Sequence, residues 1–524
     1  MAGFSEGILL KLFSSLFILC CLYYSSDCAR ILASVATPSY SHQVAFRQLW
    51  RELAKRGHQI ILLTTDPMEH TDNITQIDLS FSYEILNQKN YSSVITNEMS
   101  NNNMKLITEF TDIFMEVLIK QIEHTEVQEI IMNEKSTFDV LMIEMIFPVH
   151  IGLIEKFKAP VIALSSMEAT HDLHAAMGNE VHTILYPDSM FNPNRYPLTL
   201  WQRILSTISR ILLRGYLELS FVPSIEAKMR KVFGEDCRPL KELYQDIDML
   251  FSNSNPIFHH KRALTPNTIT FGGGSHMESD SKPLPADLQT FLDNATNGVV
   301  YVSLGTNIKS NSLKDDLKQI FLDTFAALPY QVLWKYETEN ITIKSRNVLT
   351  KKWIPQREVL RHPNVKLFVT QCGLQSSEEA ILNRVPMVGL PFIADQLANA
   401  YVLEEKGFGI RLDHSKLTKQ IFKESIDEVI KNPKYKEKVI EIAELLTDVE
   451  MSGLEQVVWW TEYVIRNKGA KHLKVPILES AFYKYYMLDV IALVISITII
   501  WFSVTLKIIS MVYRRIFMNK RKVE

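Results

Sequence analysis

Cysteine is scarce in this chain. Of 524 residues five are cysteine, and Cys20, Cys21 and Cys28 lie in or beside the first apolar segment. Only Cys237 and Cys372 remain if that segment is removed, which excludes a disulfide framework. Charge of one sign is lacking too. A formal net charge of −3 argues against nucleic acid as a partner. No low-complexity tract is present, and no repeat beyond two similar halves. No His/Cys/Asp/Glu cluster has metal-ligand spacing, so no metal is expected. What remains is a globular composition, 47% hydrophobic and 22% charged, long enough for two domains.

Two apolar runs bracket the chain. Residues 7–24 carry Lys11 as their only charge and are followed by Ser25-Ser26-Asp27-Cys28, which predicts a secretory signal over residues 1–28. An uncleaved anchor is the alternative. Sequons at Asn73, Asn90, Asn294 and Asn340 agree with passage through a lumen. Near the other end, residues 490–506 are uncharged and predict a transmembrane helix over 487–509. Lys507, Arg514, Arg515, Lys520, Arg521 and Lys522 follow, so the tail at 510–524 is expected in the cytosol and the bulk of the chain in the lumen. The final K-R-K-V-E fits the pattern K-x-K-x-x, which is similar to an endoplasmic-reticulum retrieval signal.

Between these runs, short apolar strands alternate with helices. The pattern predicts parallel, doubly wound sheets with ligands at the carboxyl ends of their strands. Residues 353–396 hold two strand–loop–helix units. The first strand is 365–370, with a helix opening at Ser376 and carrying Glu378 and Glu379 in its first turn; the second is 385–390, with a helix near Asp395. The chemistry suits a nucleotide-linked sugar. Trp353 offers a flat face to a base and Gln356 a donor and an acceptor to its edge. The turn from Gln371 through Gly373 and Gln375 to Ser376 favours phosphate. Glu379 suits a ribose diol, while Asp395 and Gln396 suit sugar hydroxyls. Taken singly, Trp353 could be core and Ser376 an N-cap; their joint spacing favours the site.

The amino-terminal half begins with a strand at 31–36 and a turn at 37–41. His42 then opens a helix with apolar residues at Val44, Phe46, Leu49, Trp50 and Leu53, closed by Gly57 before a strand at 59–65. In this βαβ unit His42 stands at the carboxyl end of a strand and at a helix N-terminus. Such a place favours a neutral ring and suits a general base. Residues 75–135 and 166–235 are irregular in pattern. Within them, residues 198–221 mix apolar side chains with Arg203, Arg210 and Arg214. They read as an amphipathic helix packed on its own domain, the alternative being one lying on a membrane surface. A Gly/Ser/Pro-rich stretch from Phe271 to Pro285 marks an interdomain linker. A strand at 299–304 then leads to the turn Gly305-Thr306.

W-I-P-Q, H-P, F-V-T-Q-C-G-L-Q-S, E-E-A-I, V-P-M-V-G-L-P and D-Q-L-A-N-A, in order from residue 353, together resemble the donor-binding signature of the UDP-glycosyltransferases. The resemblance implies a GT-B fold, α/β with two facing Rossmann-like domains: an acceptor domain over 29–281 and a UDP-sugar domain over 282–480. It implies that Trp353 stacks on uracil, Gln356 bonds its edge and Glu379 holds the ribose. Gln371, Gly373, Gln375 and Ser376 would receive the diphosphate, with Ser303, Gly305 and Thr306 beside it, and Asp395 and Gln396 the sugar. S-Y-S-H followed by R-G-H is similar to the family's amino-terminal pattern, in which the histidine at the place of His42 is the catalytic base. Its partner is usually an Asp at the end of the strand typified by F-D-V. Here Asp139 comes too early, and Glu144 is taken as the partner.

Gln371-Cys372 replaces the usual His-Gly, and T-Q-x-G-L-Q-S resembles the insect branch. The expectation is inverting transfer of a hexose, most simply glucose, from a UDP-sugar to a small lipophilic acceptor. No cofactor or metal is needed, the membrane is engaged through the C-terminal helix, and a homo-oligomer is compatible. UDP-glucuronate or UDP-galactose as donor, a tethered binder that has lost turnover, and a processive transferase are the alternatives.

Overall fold

The computed structural model describes residues 28–89, 104–182, 184–186, 198–259, 261–278, 282–338, 341, 343, 345–476 and 482–520. Residues 1–27 of the expected leader, the sequons at Asn90 and Asn340 and residues 521–524 of the tail lie outside them.

Apolar runs form the strands, and all the strand pairs are parallel. The first sheet comprises β1 (Arg30–Val35), β2 (Gln59–Thr64), β3 (Ile74–Asp78), β4 (Val140–Glu144), β5 (Val161–Ser165), β6 (Ile247–Ser252) and β7 (Thr268–Thr270), in the order β3-β2-β1-β4-β5-β6-β7. The second comprises β8 (Val299–Ser303), β9 (Gln331–Lys335), β10 (Val348–Lys351), β11 (Val365–Thr370), β12 (Met387–Gly389) and β13 (Gly409–Arg411), in the order β10-β9-β8-β11-β12-β13. Strand side chains alternate between faces. On β1, Ile31, Ala33 and Val35 enter one core and Leu32 the other. On β8, Val299 and Tyr301 face one core while Val300 and Val302 face another. Both sheets are therefore covered on two sides, as continuous apolar strands require.

The helices used below are α1 (Tyr40–Val44), α2 (Arg47–Lys55), α3 (Leu200–Tyr216), α4 (Gln356–Arg361), α5 (Leu374–Leu382), α6 (Gln396–Glu405), α7 (Gly453–Arg466) and α8 (Leu488–Lys520). The single helix expected from His42 is instead two. α1 starts at Tyr40, and Ala45 and Phe46 separate it from α2. Phe46 is fully buried, with its ring 5.7 Å from that of Phe271 and 6.1 Å from that of Trp50. That packing holds the chain out of helical register. α5 begins at Leu374 rather than Ser376, because Cys372 turns the chain at φ 64° and Gly373 becomes the N-cap. Glu378 and Glu379 consequently lie beyond its first turn. The segments read as irregular contain helices at Phe81–Gln88, Met104–Ile122, Thr125–Met132 and Val222–Phe233.

α3 departs further from expectation. Trp201, Leu205, Ile208, Ile211 and Leu212 are exposed and only Ser206 is buried, so its apolar side chains are not packed on its own domain. α7 returns to the first sheet, where Val457, Val458 and Val464 share a core with Ile31 and Trp50. Residues from Lys474 onward form a separate unit. Its helix α8 contains a span, Leu488–Ile516, long and apolar enough to cross a membrane. At about 1.5 Å per residue it exceeds the roughly 30 Å hydrocarbon core and the 487–509 expected.

Buried Asp248 at the start of β6 ties three segments together. It accepts hydrogen bonds from the N–H groups of Val161 (3.0 Å) and Ala470 (2.8 Å). Asp248→Ala would orphan both donors and should lower stability by about 2–3 kcal/mol. Urea unfolding of the solubilised chain checks this, and an unchanged midpoint contradicts it.

Candidate active site

The site is assembled from strand ends. β1 runs into the turn at Thr37 and then into α1, which carries His42. The adjacent strand β4 ends at Glu144, and β5 is followed by Ser166. His42 Nδ1 lies 2.7 Å from Glu144 Oε1 and 2.8 Å from Ser166 Oγ. Glu144 Oε2 accepts the Thr37 N–H at 3.2 Å. Burial opposes ionisation of Glu144, which is 1% exposed, but the His42 ring and the Thr37 and Ser166 bonds hold its carboxyl below the usual range. An ionised carboxylate only accepts. The contact therefore places hydrogen on Nδ1 and leaves the lone pair on Nε2. Asp139 sits at the opposite end of the sheet, accepting the Arg30 N–H at 2.7 Å. His58 is buried, and its Nδ1 accepts the Ala29 N–H at 3.2 Å.

The second sheet supplies the facing wall. Gln356, Ser376 and Glu379 meet there. The Gln356 amide donates to Ser376 Oγ (2.9 Å) and Glu379 Oε2 (2.8 Å), while its oxygen accepts from Tyr301 (3.1 Å). Trp353 is 58% exposed, unusual for an indole and fitting for a platform. The buried Lys335 approaches its ring at 5.1 Å from the centroid and donates to the Gly305 carbonyl at 2.6 Å. Burial pulls the Lys335 pKa down, partly offset by Glu337.

Gly305 has φ +80°, and a Cβ there would fall 2.2 Å from the Gln371 amide nitrogen. The Gln371 side chain thus lies over the Gly305-Thr306 turn, and Ser303 Oγ accepts the Gly305 N–H at 3.3 Å. Cys372 is fully buried, and its sulfur sits 2.5 Å from where a Gly389 Cβ would stand. Asp395 accepts from Asn399 at 2.8 Å, and Gln396 caps its own loop by accepting from Phe392 and Ile393 (3.0 and 3.1 Å). Burial raises the Asp395 pKa, partly offset by the Asn399 hydrogen bond.

Among the described residues the walls touch at several places. Tyr40 and Trp353 stack edge-on at 5.7 Å, Ser39 Oγ donates to Asn307 Oδ1 at 3.0 Å, and the Gln375 amide donates to the Ser166 carbonyl at 3.1 Å. Ser166, Lys335, Tyr40 and His276 were not singled out from the sequence. A lone lysine closing the apolar strand Q-V-L-W-K could have marked Lys335. Nothing comparable marks Ser166 or His276. Among the described residues no group of three His, Cys, Asp or Glu side chains is arranged to hold a metal.

Residues 30–523 match the family model described as UDP-glucoronosyl and UDP-glucosyl transferase. The chain is 33% identical over 493 residues to the ecdysteroid UDP-glucosyltransferase of Spodoptera littoralis nuclear polyhedrosis virus, covering 89% of this chain and 94% of the relative. It is 26% identical over 505 residues to human UDP-glucuronosyltransferase 2B7, covering 92% and 93%. Among solved structures, Os79 from O. sativa in complex with U2F and trichothecene superposes with a TM-score of 0.55 at 16% identity, covering 83% of this chain and all of that one. The shared architecture is the GT-B fold.

Gly305→Ala would strain a left-handed turn and push aside the Gln371 amide. UDP affinity should fall by about tenfold or more. Calorimetric titration with UDP reads this, and unchanged affinity would show that the 305–306 turn takes no part in binding UDP.

Proposed function

The chain belongs to the UDP-glucoronosyl and UDP-glucosyl transferase family, and on that premise we propose that it transfers glucose from UDP-glucose to a hydroxyl of a small lipophilic acceptor, with inversion and with His42 as base. The observation that carries the reading is the buried His42–Glu144 contact set across from the Trp353–Gln356–Glu379 wall. Nε2 of His42 takes the acceptor's hydroxyl proton as the oxygen attacks the anomeric carbon. The bond from that carbon to the diphosphate breaks, and UDP departs with the electron pair. Glu144 holds the ring in its tautomer and stabilises the imidazolium that forms.

On the donor side, Trp353 takes the uracil face. Gln356 uses the second lone pair of its oxygen for the base edge, the first being engaged by Tyr301. Ser376 accepts from Gln356 and so directs its own hydrogen to phosphate. Charge growing on the leaving diphosphate meets the N–H groups of the 371–376 and 305–306 turns, with Gln371, Gly373, Gln375, Ser303 and Thr306 around it. Glu379 grips the ribose, and Asp395 and Gln396 the sugar. No cofactor takes part.

Glucose rather than glucuronate is favoured by the greater identity to the viral glucosyltransferase than to the human glucuronosyltransferase. The viral relative's ecdysteroid name agrees with a lipophilic alcohol as acceptor. α8 anchors the chain in the endoplasmic-reticulum membrane with the catalytic part in the lumen. The exposed apolar side chains of α3, interleaved with arginines, suit a bilayer surface.

The test is a microsomal assay with labelled UDP-glucose and UDP-glucuronate over a panel of phenols and steroids. UDP-glucose should be the better donor; a preference for UDP-glucuronate reverses the donor assignment. His42→Ala should abolish transfer while UDP still binds, and normal turnover would overturn the base assignment. Glu144→Gln should reduce kcat by roughly 10³–10⁴-fold. A negligible change would move the partner role elsewhere.

A further inference from the structure

We propose that His276, on the segment joining the two sheets, is a positioning residue that sets the Glu379 carboxylate for the donor. The inference rests on the assignment of Glu379 to the ribose diol. The segment after β7 clings to α5: the Gly273 N–H donates to Glu378 Oε1 at 2.6 Å. Three residues on, the His276 ring is buried with neither nitrogen in a well-directed hydrogen bond. A carboxylate oxygen faces each nitrogen: Glu378 Oε2 is 3.4 Å from Nδ1, and Glu379 Oε1 is 3.6 Å from Nε2. The other Glu379 oxygen is held by Gln356 at 2.8 Å. His276 and Gln356 thus flank one carboxylate from two sides.

A neutral imidazole has a single N–H and could serve only one of the two glutamates. Two carboxylates on two nitrogens are matched only when both nitrogens carry hydrogen. Burial opposes that charge, but Glu378 and Glu379 outweigh it and push the pKa up to about 9. These two α5 carboxylates are the charged groups facing the ring, while Glu278, two residues further along the segment, is taken up by Arg51. The ring keeps its proton below about 9 and loses it as pH rises through that value. A deprotonated ring would then release one of its glutamates. The contacts at 3.4 and 3.6 Å are loose, and closure of Glu379 on a diol would tighten them.

The experiment titrates the full-length, detergent-solubilised chain with UDP calorimetrically, for wild type, His276→Gln, Glu379→Gln and the double variant. His276→Gln should weaken UDP binding about tenfold with kcat at saturating donor within about twofold of wild type. The loss should not add to that of Glu379→Gln. Wild-type UDP affinity should hold from pH 7 to about 8 and fall as pH rises through about 9, whereas His276→Gln should give a flat profile. If Glu379→Gln weakens UDP binding and His276→Gln does not, or if their losses simply add, the positioning role is overturned and the ribose assignment stands. If Glu379→Gln leaves UDP affinity intact, the ribose assignment falls and the positioning role with it.

Discussion

A buried carboxylate touching a buried imidazole constrains much of this structure. Glu144 is 1% exposed and His42 8%, and a charge so enclosed persists only when its lone pairs are met. The Thr37 backbone, Ser166 and the ring meet them. That requires three strand ends side by side, which the order β1-β4-β5 delivers. Two short contacts to Nδ1 fix the ring, and the split between α1 and α2 lets Phe46 anchor the helix while His42 stays at the strand ends. In the proposed mechanism, preorganisation of this kind would lower the cost of charging the ring.

The opposite wall is organised by amides and backbone more than by cations. Gln356 joins Tyr301, Ser376 and Glu379 in one network, so the groups proposed for base edge, phosphate and ribose are positioned by one another. The Gln371-Cys372 departure from the usual His-Gly has a local explanation. Gln371 occupies the space left by Gly305, and the Cys372 side chain turns into the core against Gly389, leaving its left-handed backbone to turn the chain into α5. A non-glycine residue there carries strain on the order of 1 kcal/mol or more. Lys335, beneath the Gly305 turn and over Trp353, links these two features of the wall.

Much of this was legible in the residues. Short, mostly apolar runs with β-branched residues, such as 140–144 and 365–370, point to buried strands, and their alternation with helices points to parallel pairing. The family resemblance called for a carboxylate at the end of the strand at 140–144, and the pleat put Asp139 before the strand and Glu144 at its end. Other features depended on contacts between distant segments. Phe46 breaks a helix because of Phe271, far away in sequence. The outward face of α3 reads identically to an inward one, since periodicity gives the stripe and not its direction. His276 sits in a glycine-rich linker, where a lone histidine gives no signal until the fold brings α5 beside it.

The central claim is that one uridine sugar bridges the two sheets, with its reacting carbon presented to His42. A crystal structure of the chain with a non-transferable UDP-sugar tests it most directly. The account predicts uracil on the Trp353 ring, ribose hydroxyls on Glu379, and room for an acceptor oxygen about 3–3.5 Å from the anomeric carbon and within about 3.2 Å of His42 Nε2. A ligand seated elsewhere, or an anomeric carbon turned away from His42, would contradict it.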